Sequence, residues 1–202
     1  MMPTVRRRGF TLVELLVVVA VLAVILTLAA PSFRSMIEMQ RLRSITSQLV
    51  TDLQFARNEA VQRNTLLRVS FEKNDDMTCY TLYTSPALGN RCDCRHGAGE
   101  ACRDFADNRE VRTVQIPASL AVKVEIPATE FDTAFAFDNV TGGLFVIPTD
   151  DLPAAWSDIT IESCLDANRK LAVRLSGAGR PTVNTASASI MPTDVCPPVV
   201  AP

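Results

Sequence analysis

An almost unbroken apolar stretch near the N-terminus constrains this chain more than any other feature. Residues 10–31 read FTLVELLVVVAVLAVILTLAAP, in which only Thr11, Glu14, Thr27 and Pro31 are not apolar. As a helix with a rise of about 1.5 Å per residue, the stretch would be about 33 Å long, enough to cross a bilayer core of about 30 Å. Three arginines, residues 6–8, precede it. The positive-inside rule predicts that they stay in the cytoplasm and that everything after the stretch lies outside.

A cleaved signal peptide is the alternative interpretation of this stretch. It requires a shorter apolar region followed by a small-x-small cleavage site, for which Leu28-Ala29-Ala30 is the candidate. Glu14 favours the membrane helix, because a carboxylate inside an apolar span is costly unless it has a use. A signal peptide has no use for it.

Composition excludes several classes of protein. With 48% apolar residues among 202, the chain is too apolar to be disordered. Its net charge of -2 argues against a general nucleic-acid binder, and a single His leaves little material for His-based catalysis. Six Cys favour an oxidising compartment.

After Pro31 the pattern becomes amphipathic and predicts that one helix continues to Asn64. Pro31 predicts a kink, because it lacks an N–H and its ring clashes with the preceding turn. Apolar residues then recur mostly at steps of three and four: Phe33, Met36, Ile37, Leu42, Ile45, Leu49, Leu53, Ala56 and Ala60. Charged residues occupy the other faces: Arg34, Glu38, Arg41, Arg43, Asp52, Arg57, Glu59 and Arg63. We expect this half of the helix to pack on a globular head.

From Thr65 onward the period changes to two, which predicts strands. The clearest alternation is in residues 120–126, with Leu120, Val122, Val124 and Ile126 on one face, and in residues 170–176. Weaker strands are predicted at 66–71, 78–84, 111–116, 135–137, 144–147, 159–163 and 181–184. The predicted fold class is therefore α+β, with a long N-terminal helix packed on an all-antiparallel β head.

The junction between the arginines and the apolar stretch resembles a known processing motif. Residues 8–16, RGFTLVELL, are similar to the motif of type IV prepilins and type II secretion pseudopilins. The resemblance implies cleavage after Gly9 by a prepilin peptidase, methylation of Phe10, and pairing of Glu14 with the methylated ammonium of a neighbouring subunit. It divides the chain into a leader (1–9), a transmembrane and assembly helix (10–31), an amphipathic helix (32–64) and a β-rich periplasmic or extracellular head (65–202).

Two further segments narrow the resemblance to the FimT/FimU/GspH group of minor pilins and pseudopilins. Residues 52–64, DLQFARNEAVQRN, resemble the end of that group's helix. Residues 164–180, which end in Gly179-Arg180, resemble its last hairpin. Residues 84–112 match nothing in the group and look like a variable loop.

The six cysteines are predicted to form disulfides. The resemblance favours joining Cys164 to Cys196, which would hold the Pro-rich tail. Cys79, Cys92, Cys94 and Cys102 then have three possible pairings. The alternatives are zinc on Cys92, Cys94, His96 and Cys102, and free thiols. An oxidising destination and the untypical C-x-C-x-H spacing argue against zinc.

No other cluster predicts chemistry. Asp75-Asp76 and Asp150-Asp151 are interpreted as turn residues, because they lack the spaced oxygen ligands of a calcium loop. His96 is expected to be a solvated loop residue. We therefore predict no catalytic residue, no cofactor and no metal site, and no enzymatic activity.

DNA binding is the remaining possibility, since some relatives in the group take part in DNA uptake. Residues 65–202 hold 12 Lys and Arg against 18 Asp and Glu. Arg91, Arg95 and Arg103 are candidates, but Asp93, Glu100 and Asp104 lie among them. A surface that follows phosphates needs several cations together, so DNA is not an expected partner.

The resemblance implies a minor pilin that serves as a structural or priming subunit of a type IV pilus. Its partners would be the prepilin peptidase, major and minor pilins, and an inner-membrane assembly platform. It would wait in the inner membrane as a single-pass protein with a periplasmic head and reach the cell surface in the pilus. The alternatives are a GspH-like pseudopilin of a type II secretion system and a DNA-binding minor pilin.

Overall fold

The computed structural model describes residues 11–86, 90–126, 134–146, 158–166 and 168–185. One helix, α1, runs from Leu12 to Arg63. The chain divides into two compact units, Met1–Ile37 and Glu38–Pro202. Among the described residues, no single straight helix is long and apolar enough to cross a membrane, but Leu12–Thr27 and Ser32–Arg63 pass that test together, bent by 42°. The bend spans Pro31, where the sequence predicts a kink.

The C-terminal half of α1 buries the apolar face that the periodicity predicts. Leu42, Leu49, Leu53, Ala56 and Ala60 are fully buried in the head's core. The periodicity extends further than the buried face: the earlier members Phe33, Met36 and Ile37 are 47–62% exposed. All of the buried core residues of the second unit lie at or after Leu42, so this unit contains its own core.

The described part of the head contains nine strands in two antiparallel sheets, which confirms the predicted fold class. Their bounds are β1 Leu67–Lys73, β2 Met77–Thr84, β3 Arg109–Pro117, β4 Lys123–Glu125, β5 Ala134–Phe137, β6 Leu144–Val146, β7 Ile159–Cys164, β8 Lys170–Leu175 and β9 Pro181–Thr185. The first sheet has the order β3-β2-β1-β5-β6 and the second β4-β7-β8-β9.

One strand is shorter than its alternation predicts. The pattern at residues 120–126 yields only three residues of strand, because Ala118–Leu120 forms a turn of 3₁₀ helix and Ala121 adopts φ 58°. Val122 and Val124 are nevertheless buried. A period of two therefore identifies the buried face here, while the backbone conformation at Ala121 sets where pairing begins.

The first sheet is covered on both faces. Val69, Phe71, Tyr80 and Leu82 belong to the main core together with α1. The alternate positions on β1 and β2 lie under the loop at residues 90–108, where Ser70 Oγ donates to the Cys92 carbonyl at 2.8 Å. This loop is therefore part of the head's packing, and it explains why β1 is buried at five consecutive positions.

Hydrogen bonds from backbone amides help to join the two sheets. The Leu144 amide donates to the Gly177 carbonyl at 2.9 Å. The Val124 amide donates to Thr78 Oγ1 at 3.1 Å. The turns after β5 and β8 are thereby brought to one end of the head.

Candidate assembly and binding sites

The start of α1 is capped by Thr11, the second residue after the predicted processing site. The Glu14 amide donates to Thr11 Oγ1 at 3.2 Å, and the Leu15 amide donates to the Thr11 carbonyl at 3.2 Å. Thr at the N-cap with Glu three residues later is the sequence pattern of a capping box. An acid in the first turn also opposes the positive end of the helix dipole. Gly9 and Phe10 lie outside the described residues.

The first turns of α1 form an exposed apolar helix. Its large apolar side chains between Leu12 and Leu26 are 49–74% exposed, and Glu14 is exposed among them. An apolar surface of this extent is unusual in water and marks a site that meets lipid or another protein. Glu14 is the only charged residue on it.

An acid that the sequence assigned to a polar face of α1 is instead buried. Asp52 is 1% exposed, and its Oδ2 accepts a hydrogen bond from the Tyr80 hydroxyl at 2.8 Å. Arg112 Nη1 lies 2.7 Å from Asp52 Oδ1. Burial raises the pKa of Asp52 above its ordinary value, against the lowering effects of Tyr80 and Arg112. Burial also raises the pKa of Tyr80.

The prediction for Asp52 was wrong because helix periodicity cannot show that two strands bring polar partners, Tyr80 and Arg112, to this position of α1. A β-bulge between Leu82 and Tyr83 places Arg112 of β3 opposite Leu82 and leaves Val111 as the extra residue. The burial of Arg68 was also missed, because the alternation along one strand does not show what covers each of its faces. The Arg68 side chain is 1% exposed on β1, in register with Tyr83 of β2, and burial lowers the pKa of its guanidinium.

A second arginine connects α1 to two turns of the head. Arg57 Nε donates to the Gly142 carbonyl at 3.0 Å. Its side chain runs past Gly142 and Gly179, where an added Cβ would lie 3.1–3.2 Å from Arg57 atoms. Both glycines adopt positive φ, 66° and 71°. The two segments that carry the second resemblance, around Arg57 and Gly179-Arg180, thus meet at this joint.

An open pocket of about 300 Å³ lies beside the joint. It is lined by Arg57, Thr141, Gly143, Gly177, Ala178 and Arg180. Sequence reasoning did not identify it, because its residues come from three segments far apart in the chain. The resemblance of the helix end and the last hairpin was the one available signal.

Two disulfides hold the loop at residues 90–108. Cys79 is bonded to Cys94 and Cys92 to Cys102, which is one of the three pairings that the sequence left open. Zinc binding requires free thiolates, and these sulfurs are bonded to one another. Cys164 is also disulfide-bonded. Its expected partner, Cys196, lies outside the described residues, so that pairing stays a prediction.

The loop's basic residues are engaged with acids. Arg95 Nε lies 2.9 Å from both carboxylate oxygens of Asp93, and Arg91 Nη2 lies 3.4 Å from Glu72 Oε1. The Asp93 pKa is lowered, chiefly by the hydrogen bond from Arg95. Arg103 lies beside Asp104 at 3.9 Å. This arrangement does not form a continuous cationic surface.

His96 is more buried than the sequence suggested. Its side chain is 23% exposed, and Nδ1 lies 3.8 Å from Asp104 Oδ2. It was expected to be solvated because Gly and Cys surround it in the sequence. The disulfides fold that segment onto the sheet, which shields the ring.

The first candidate calcium pair lies in the turn between β1 and β2. Asn74 Oδ1 accepts from the amides of Asp76 and Met77 at 3.0 and 2.9 Å. No group of acids, His or Cys suited to a metal is present in the described ranges. Asp150-Asp151 lies outside them.

Comparisons with known proteins agree with the predicted resemblance. Residues 5–30 match the prokaryotic N-terminal methylation motif. Residues 46–179, well over half of the chain, match the family described as type II transport protein GspH. No curated protein matches the chain significantly.

Two crystal structures of the type IV minor pilin FimU from Pseudomonas aeruginosa have a similar fold. The P21 form is 17% identical with a TM-score of 0.50 and covers 78% of this chain and 96% of FimU. The P65 form is 16% identical with a TM-score of 0.48 and covers 76% and 98%. With the methylation motif and the helix-plus-antiparallel head also in place, the family match shows that this chain belongs to the GspH family of pilin-like structural proteins.

Proposed function

We propose that this protein is a minor pilin, a structural or priming subunit of a type IV pilus. The single observation that carries the proposal is the capped start of α1. Thr11 caps a helix whose first turn holds Glu14, followed by an exposed apolar surface. The methylation motif covers the same residues. Cleavage after Gly9 would leave a new ammonium one residue before the helix cap.

Glu14 would then pair with the N-methylated ammonium of Phe10 on a neighbouring subunit. Either charge alone is costly in an apolar environment, and the pair neutralises both. An exposed apolar helix with one acid in its first turn supports this role, because apolar contacts alone do not select a register. The charge pair would set the axial position of each subunit.

The proposal implies a defined set of partners and locations. The precursor would be a single-pass inner-membrane protein with a periplasmic head, cut by a prepilin peptidase. It would then join major and minor pilins through an inner-membrane assembly platform. Binding to the other subunits, rather than catalysis, would be its role.

A second candidate is a pseudopilin of a type II secretion system, which the description of the matched family favours. The same helix and head would serve a short periplasmic filament. A deletion strain scored for surface pili and for secreted enzymes separates the two. Loss of pili alone supports the minor pilin, and loss of secretion alone supports the pseudopilin.

Mass spectrometry of the mature full-length protein tests the proposal. N-methyl-Phe10 should be the first residue, and Gly9→Val should leave the leader uncut, because the peptidase requires a small residue there. Ala98→Val, at an exposed position outside the leader, is the control and should be processed normally. A mature N-terminus near Ala30 would show signal-peptide cleavage and contradict the proposal.

A further inference from the structure

The pocket beside the Arg57 joint contains two arginines that form no ion pair with the described residues of the head. Arg57 is half-buried, and only its Nε has an acceptor among the described residues, the Gly142 carbonyl. Its two Nη groups have no acceptor within those residues. Arg180 is exposed and forms no ion pair within the described ranges. Both side chains line the same open volume of about 300 Å³.

The side chain of Arg57 and the backbone of Arg180 are held by their surroundings. The stem of Arg57 passes the bare Cα atoms of Gly142 and Gly179, so the backbone of two turns fixes its course. The Arg180 amide lies 3.3 Å from Ser176 Oγ, and its carbonyl accepts from the Ser176 amide at 3.1 Å. A pre-positioned guanidinium, such as that of Arg57, loses less conformational entropy when it binds an anion.

Two acids of the described residues bond to residues that line the pocket, and both are already occupied. Asp158 accepts from the Gly177 amide at 3.0 Å and from Arg174 Nη2 at 2.6 Å. Asp138 Oδ2 accepts from the amides of Val140 and Thr141 and from Thr141 Oγ1. Neither carboxylate lines the pocket. An external anion is therefore the group that would complete it.

We propose that Arg57 and Arg180 bind a carboxylate side chain, an Asp or Glu, of a neighbouring subunit in the same filament. This inference rests on the proposed function. A guanidinium matches a planar carboxylate with two parallel hydrogen bonds. The Asp138 turn also presents Val140, 75% exposed, next to the lining residue Thr141. An apolar contact beside a charge pair is typical of a protein interface.

The charge of the head favours a carboxylate over nucleic-acid phosphate. Residues 65–202 hold 18 acids against 12 Lys and Arg, and Asp138 and Asp158 flank the pocket. A nucleic acid that follows the surface would be repelled by these two acids, whereas a single carboxylate can enter between them.

Carbodiimide cross-linking in intact cells tests this inference. A water-soluble carbodiimide joins a carboxylate to a primary amine. An amide forms, and the carbodiimide takes up the released water and becomes a urea. Arginine has no primary amine of this kind and does not react. The Arg180→Lys variant retains the charge and adds the amine. Arg103→Lys, at an exposed arginine in the disulfide loop, is the matched control.

Arg180→Lys should give a cross-link from position 180 to an Asp or Glu of another subunit, identified by mass spectrometry. Wild type and Arg103→Lys should lack that product. A link only to Asp138 or Asp158 of the same chain would overturn the inference. So would the absence of any link while the variant sediments with filaments.

The DNA alternative is tested on the purified full-length protein in detergent with short duplex DNA. Retention of DNA that is lost in Arg180→Gln but kept in Arg103→Gln, without a subunit cross-link, would overturn the carboxylate assignment. A chain with N-methyl-Phe10 that enters filaments but gives no cross-link contradicts this inference alone. A chain that never enters filaments contradicts the proposed function and, with it, the partner named here.

Discussion

The Tyr80 hydroxyl donates a 2.8 Å hydrogen bond to Asp52 Oδ2, which ties the middle of α1 to the centre of the first sheet. Both side chains are buried, and Arg112 reaches the other carboxylate oxygen from β3. A buried acid tolerates few positions, since it must keep its partners. The pair therefore fixes one register of the helix on the sheet, which apolar contacts alone do not.

Removing the hydroxyl should destabilise the head more than neutralising the acid. In a soluble head beginning at Arg34, Tyr80→Phe leaves Asp52 without its donor and should cost about 1–3 kcal/mol of unfolding free energy. Asp52→Asn keeps an acceptor for Tyr80 and should cost less. Urea unfolding of both variants and of the double variant measures the coupling. Additive effects would contradict the pairing.

The same acid predicts a pH dependence. Because the pKa of Asp52 is raised in the folded state, the unfolded chain releases this proton first as the pH rises. The stability that Asp52 contributes therefore decreases as the pH rises from the ordinary pKa of 3.8 through the raised pKa of the folded state. The stability of wild type relative to Asp52→Asn should decrease as the pH rises above the ordinary pKa of 3.8. A constant difference in urea midpoint across that range would contradict the raised pKa.

Gly179 should be far less replaceable than Gly99. Both have positive φ, but a Cβ at Gly179 would lie 2.2 Å from the Gly142 carbonyl oxygen, whereas nothing lies within 4 Å at Gly99. Gly99→Ala should cost about 1–2 kcal/mol for the left-handed backbone alone. Gly179→Ala should add about 1–3 kcal/mol for the forced displacement. Equal melting temperatures for the two variants would show that the Arg57 joint yields easily.

Glu14→Val should separate membrane insertion from assembly. Loss of the carboxylate should leave insertion unchanged or improve it by about 2–3 kcal/mol. Entry into filaments should nevertheless fall, because the partner ammonium loses its counter-charge. Thr11→Ala is the control for weakening of the helix start, at a cost of about 1 kcal/mol. Wild-type levels of Glu14→Val in filaments would refute the charge pairing.

Peptide mapping of the oxidised head under non-reducing conditions should identify which cysteines are paired. The map should recover Cys79–Cys94 and Cys92–Cys102, together with Cys164–Cys196. Cys164→Ser should destabilise the head by about 3–4 kcal/mol on the chain-entropy model, since the loop spans about 30 residues. One zinc per chain, lost when Cys92 or Cys102 is replaced, would contradict the pairing of that loop.

The sequence predicted a feature correctly where that feature depends on a local pattern of neighbouring residues. Nearly all strands were predicted to within a few residues, because a period of two reports which residues face a core. Leu49, Leu53 and Ala56 were placed correctly on α1 for the corresponding helical reason. The motif at residues 8–16 indicated a prepilin or pseudopilin, because it consists of neighbouring residues, and residues 52–64 and 164–180 narrowed the prediction to the family.

Only the tertiary structure decided which polar side chains are buried and which residues meet. Asp52 looks like any surface acid on a helix until Tyr80 and Arg112 are brought to it by two strands and a bulge. The pairing of Cys79 with Cys94 and the pocket between Arg57 and Arg180 likewise join segments distant in the chain. Periodicity reports the face on which a residue lies, whereas its partner depends on how separate elements pack, so the sequence by itself determined the family and the elements, and the packing determined the sites.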